Sequence, residues 1–144
     1  MADEKRLGVY IWTGDGIAEV IDCNKLAEDL QGQENVQFVK VVDELFTTNG
    51  VDNVRKDIAD NELTGVVIGG SSPRFHTELF QFDSDVMVDR VSLREGVAWT
   101  HEPNDEQTQD MALDYMKMGI AKLNTIDPPE PEIVDINDSI MVVG

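Results

Sequence analysis

Leu7-Gly8-Val9-Tyr10-Ile11-Trp12, running into Thr13-Gly14-Asp15-Gly16-Ile17, is the stretch on which the fold turns. An unbroken apolar run of this length reads as a strand buried on both faces, and such strands belong to parallel sheets covered by helices. The glycine-rich turn delivers the chain into helical periodicity from Ile17 to Leu30. There Val20, Ile21, Asn24, Ala27 and Leu30 lie near one stripe, and Gly32 ends the run. Strand, tight turn and helix open a βαβ unit, and the chain repeats the pattern. Val36 to Val42 is the second strand, Gly50 to Asn61 the second helix, and Gly65-Val66-Val67-Ile68-Gly69 the third strand. Ser72-Pro73 predicts a short helix with a serine cap and proline in its first position. Asp85 to Asp89 is the fourth strand and Ser92 to Thr100 a further short helix. Pro103 to Asn124 is the longest helix, because Ala112, Tyr115, Met116, Gly119, Ile120 and Leu123 recur at helical spacing. The expectation is an α/β, Rossmann- or flavodoxin-like domain. Its four-stranded, mainly parallel sheet has the order 2-1-3-4 with helices on both faces, and Trp12 and Ser71 lie near each other at one end.

This domain is expected to fill residues 1–126. Asp127-Pro128-Pro129-Glu130-Pro131-Glu132 then begins an acidic, proline-rich stretch that cannot continue a helix and reads as an extended linker over 127–138. Ser139-Ile140-Met141-Val142-Val143-Gly144 reads as the start of a following strand. A strand ending in glycine is how a dinucleotide-binding βαβ unit begins, although only one glycine of that motif is present.

The chain has 144 residues, 29 acidic against 11 basic, and a formal net charge of -18. Phosphate backbones and anionic lipid surfaces are bound through lysine and arginine, so nucleic-acid and direct membrane binding are excluded as expectations. The single cysteine, Cys23, permits neither an internal disulfide nor a multi-thiolate cluster within one chain. The start has no apolar signal region and no apolar run approaches a membrane span, so a cytoplasmic protein is expected.

In a doubly wound sheet, ligands bind beyond the carboxyl ends of the strands where the strand order reverses. The loops after strands 1 and 3 lie there. Gly14 and Gly16 allow a close turn into a helix, Ser72 and Arg74 crowd the next helix start, and helix N-termini attract anions. A small-anion site at these four residues is one reading; a turn, a cap and a surface ion pair are the other. His76 and His101 are too far apart for a local zinc motif, and no metal site is expected. Asp43-Glu44, Glu102 and Asp105-Glu106 form no catalytic pair, and no catalytic residue is assigned. Met111 and Met118 lie a heptad apart beside the main stripe of the last helix and, with Trp99, are candidates for a second contact face.

Trp12-Thr13-Gly14-Asp15-Gly16 and Ser71-Ser72-Pro73-Arg74 resemble two loops of the heterodisulfide reductase A-subunit family and of its relative, the B-type subunit of the quinone-interacting membrane-bound oxidoreductase. In that family the loops read roughly Cys-Thr-Gly-Cys-Gly and Ala-Cys-Ser-Pro-Arg, and the cysteines bind an iron–sulfur cluster. Leu93-Arg94-Glu95, Trp99 and His101 match its Arg-Glu and Trp-x-His segments. The stretch from Phe82-Asp83 through Asp110 to Lys122 looks closest to the quinone-interacting oxidoreductase, with His101-Glu102-Pro103-Asn104 its most specific part. The resemblance places Trp12, Asp15 and Ser71 where cluster thiolates are expected, a degenerate site, with a third family cysteine falling near Leu45-Phe46-Thr47-Thr48. It implies an N-terminal domain of an electron-transfer flavoprotein in sulfur-compound energy metabolism, with FAD and iron–sulfur clusters in the parent protein and no cofactor in this domain. The implied partners are the flavin domain of the same protein and other oxidoreductase subunits, at the cytoplasmic side of a membrane-associated complex. A stand-alone regulatory protein with a degenerate redox site is the alternative.

Overall fold

A computed structural model describes residues 4–144. Strands β1 (Leu7–Trp12), β2 (Val36–Val42), β3 (Gly65–Gly70) and β4 (Met87–Ser92) form one sheet in the order β2-β1-β3-β4, with every neighbouring pair parallel. Helices α1 (Ile17–Val20), α2 (Cys23–Leu30) and α4 (Glu106–Thr125), with a π-helical turn at Arg94–Ala98, cover one face, and α3 (Thr48–Asn61) covers the other. The fold class and strand order are those expected from the sequence.

Alternation along the central strands sorts two cores. Leu7, Val9, Ile11 and Val67 pack against Leu26, Leu30, Met116, Ile120 and Leu123. Tyr10, Val66 and Ile68 turn the other way, onto Leu45, Val51, Val54, Leu63 and Phe80. Each fully buried aliphatic side chain contributes roughly 1.5–3 kcal/mol. That explains why β1 and β3 read as unbroken apolar runs while β2, an edge strand with no fully buried residue, does not.

The bounds of several elements differ from the expectation. The helix expected from Ile17 to Leu30 is two helices. Ile21 is extended (φ -115°, ψ 134°) and Asp22 caps α2, its carboxylate accepting from the Lys25 amide at 3.0 Å. Gln109 of α4 secures the break: the Asp22 amide donates to its Oε1 at 2.9 Å and its Nε2 donates to the Asp22 carbonyl at 3.0 Å. No helix follows Ser72-Pro73. Residues 71–80 are turns and bends, with the Phe75 amide donating to the Ser72 carbonyl at 2.9 Å. The fourth strand lies further along, at Met87–Ser92, where pairing with β3 sets Met87 opposite Gly65 and Ser92 opposite Gly70. The helix expected over Ser92 to Thr100 is the single π turn. The last helix begins at Glu106 rather than Pro103, because the Asp105 carboxylate accepts from the Gln107 amide at 2.8 Å and caps it there.

α4 runs antiparallel to the strands, with Leu123 near the start of β3 and Met116 near its end. Its exit is fastened to the entry of β1: Lys5 Nζ donates to the Ile126 carbonyl and pairs with Asp127 at 2.7 Å. Residues 127–144 carry no regular secondary structure and lie exposed, with Ile133, Ile140 and Met141 each more than 80% accessible. No helix of the described residues is long and apolar enough to cross a membrane.

Candidate functional site

β1 and β3 are neighbours with Ile11 opposite Gly69, so Trp12 and Ser71 leave the sheet side by side at its carboxyl end. The Trp12 ring packs on Phe46 from the loop after β2, at 4.5 Å between centroids, and its indole N–H donates to the Asp43 carbonyl at 3.0 Å. Thr13 Oγ1 donates to the Asp43 carboxylate at 2.6 Å. Gly14 passes directly beneath the indole, where a Cβ would stand 2.3 Å from the ring, and Gly16 takes a left-handed φ of 88° that opens α1. α1 has only four residues, and its first amides are taken by loop carbonyls: Ile17 donates to Gly14 at 3.1 Å and Ala18 to Thr13 at 3.3 Å.

Two arginines organise the remaining loops. Arg94, 7% exposed, pairs with the Asp15 and Glu95 carboxylates. The other oxygen of Glu95 accepts from the Ser72 amide at 2.6 Å and from Ser92 Oγ at 2.7 Å. The rings of Trp99 and Phe75 both lie over the Arg94 guanidinium, at 4.5 and 4.7 Å, and the Trp99 indole N–H donates to the Asp15 carbonyl at 2.8 Å. Burial works against the charge of Arg94, yet its bonds to Glu95 and Asp15 outweigh that and hold its pKa above the ordinary value. Burial likewise works against the Glu95 carboxylate, but the Ser92 hydroxyl, Arg94 and the Ser72 amide leave it below the usual carboxylate range.

Arg90, inside β4, donates to Ser71 Oγ at 2.9 Å and to the carbonyls of Ser72 at 3.0 Å and His76 at 2.8 Å, and lies over the rings of Phe46 and Phe80. Burial lowers its pKa, and its Nε has no partner among the described residues. The loops after all four strands are thus bound to one another through guanidinium groups and aromatic faces.

Trp12, Asp15 and Ser71 are brought to one end of the sheet, and none is arranged as a metal ligand. The indole of Trp12 has no lone pair to give, the Asp15 carboxylate is neutralised by Arg94, and the fully buried Ser71 hydroxyl accepts from Arg90. An iron–sulfur cluster needs a set of thiolates, so the donors present do not fit it. Among the described residues no group of three or more His, Cys, Asp or Glu is placed to hold a metal ion. His76 lies exposed against Phe75, and exposed His101 turns Nδ1 to Thr100 and Val97.

Of the four residues expected at an anion site, Gly14 and Gly16 shape the turn and Ser72 gives its amide to Glu95. A carboxylate of the chain itself takes the place an outside anion would seek. Arg74 is exposed and its guanidinium makes no hydrogen bond or ion pair among the described residues. Met111 packs against the core while Met118, two turns further along the same side of α4, is 59% exposed, so the two do not form one exposed contact surface. Sequence reasoning passed over Arg90 and Phe75; a lone arginine within the apolar alternation of Val86 to Val91 was the one available signal.

No family model matches the chain. It is similar, over nearly its whole length, to heterodisulfide reductase A subunits. It is 29% identical over 146 residues to the A subunit of ferredoxin:CoB-CoM heterodisulfide reductase of Methanosarcina mazei, covering 96% of this chain and 18% of that protein. It is 27% identical to the second iron-sulfur A subunit of CoB-CoM heterodisulfide reductase of Methanopyrus kandleri, covering 99% of this chain and 23% of the relative. A protein of Archaeoglobus profundus described as like the heterodisulfide reductase A subunit is 24% identical, with 99% and 21% covered. The homology is distant, and the chain spans about a fifth of the length of these curated relatives.

Proposed function

We propose that this chain is a cluster-free N-terminal domain of a heterodisulfide-reductase-A-like electron-transfer flavoprotein, of the quinone-interacting type that serves sulfur-compound energy metabolism. Its role is structural: it docks against the flavin domain of its parent and against other oxidoreductase subunits, at the cytoplasmic side of a membrane-associated complex, and is not itself catalytic. FAD and iron–sulfur clusters belong to the parent, and the apolar stretch 139–144 opens its flavin-binding strand. The observation that carries this reading is Arg94. It and its neighbours are bound to each other, carboxylate to guanidinium to indole, at the end of the sheet where the family resemblance expects thiolates. A redox domain stripped of its ligands keeps only the work of its surface and its shape.

The test is anaerobic incubation with iron and sulfide. The chain is expected to remain colourless, since Cys23, buried at the start of α2, supplies one thiolate at most. Appearance of a visible iron–sulfur chromophore with about four irons per chain overturns the cluster-free reading.

A further inference from the structure

We infer that Phe75 and Trp99, clasping Arg94, form a docking hot spot for a protein surface that is apolar at its centre and basic at its rim, carried by the flavoprotein portion of the parent. The inference rests on the docking role proposed above and names its surface. Phe75 and Trp99 are 43% and 59% exposed, and apart from Met118 the other large exposed apolar side chains among the described residues lie in the tail. Both rings lie on one guanidinium, so they form a single patch rather than scattered exposure. Tryptophan is among the side chains on which interface energy concentrates.

The patch is also prepared for binding. Arg94 is fixed by two carboxylates and the Trp99 indole by its bond to the Asp15 carbonyl, so little freedom is left to lose when a partner arrives. Charge selects the partner. The segments adjoining Trp99 carry exposed Glu19, Glu102, Asp105 and Glu106, against exposed Arg74 beside Phe75 and Lys25 in the cleft next to Asp105 and Glu106. On a chain of net charge -18, a second copy is repelled and a basic rim is attracted. The tail can bring such a partner round. It leaves beside Lys5, at the opposite end of α4, whose 20 residues span about 30 Å. Extended at about 3.1 Å per residue, the proline-rich stretch 127–138 covers about 37 Å.

The probe is the flavoprotein portion of the parent, produced separately and titrated with the 144-residue chain. Binding is expected to weaken about tenfold or more in Trp99→Ala and in Phe75→Ser, to stay unchanged in Met118→Glu, and to weaken with added salt. Phe75→Ser lies on an exposed turn and keeps the test valid if Trp99→Ala loosens the fold, which thermal melts report. Tight binding that neither variant disturbs overturns the hot spot and leaves the docking role standing. No binding by the unaltered chain overturns both. Self-association of the chain alone that Trp99→Ala abolishes gives the patch to a second copy and also overturns the inference.

Discussion

Glu95 is the residue on which the carboxyl-end loops converge, because one carboxylate serves Arg94, the Ser72 amide and Ser92 Oγ together. Charge-assisted bonds of this kind contribute about 1.5–3 kcal/mol, so Glu95→Gln is expected to cost about 2 kcal/mol at neutral pH by urea denaturation. The pH dependence has a definite sign. The carboxylate's pKa is lowered in the fold, so its contribution is complete above the unfolded value of about 4.3 and is lost as pH falls through the folded one. The stability gap between the two proteins therefore narrows on acidification, and a gap that is constant from neutral to acid pH contradicts the assignment. At this scale little was legible in the sequence. Arg94 and Glu95 stood out only through a family resemblance, since nothing local to Leu93-Arg94-Glu95 indicates that Asp15, 79 residues earlier, is the partner.

Elements were legible in proportion to how far their own side chains decide them. β1 and β3 are buried on both faces, and that burial writes itself into the sequence as a continuous apolar run. The break between α1 and α2 is set from outside, by the side-chain amide of Gln109 across a separation of 87 residues, and no periodicity could reveal it. β4 lies beyond its expected place because Arg90 interrupts its pattern, and that arginine holds residues 71–76 by hydrogen bonds while lying over the Phe46 and Phe80 rings. Gln109→Leu is expected to destabilise the protein by about 1–2 kcal/mol, as it leaves the Asp22 amide and carbonyl without their partner. Faster amide hydrogen exchange at Asp22 and Cys23 in that variant is the specific mark. Unchanged exchange there means the capping carboxylate of Asp22 alone fixes the break.

For the molecule as a whole, charge and cohesion pull in opposite directions. A net charge of -18 on 144 residues strains the compact state by self-repulsion. The ion pairs at Lys40–Asp57 and Arg55–Asp52 lie at the surface, and pairs of that kind contribute about 0–1 kcal/mol. Screening therefore relieves more than it removes. The midpoint of thermal unfolding is expected to rise with sodium chloride, and a midpoint that falls over the same range shows that the pairs dominate.

The Lys5 clasp has a mechanical consequence. The entry to β1 and the root of the tail are riveted at one corner, with the length of α4 between that corner and the aromatic patch. A pull applied along the tail would enter the fold at this corner, at the base of β1 and the last turn of α4. The far end feels none of it directly. Force on the tail is thus taken up on one side of the body, a helix length away from the aromatic patch.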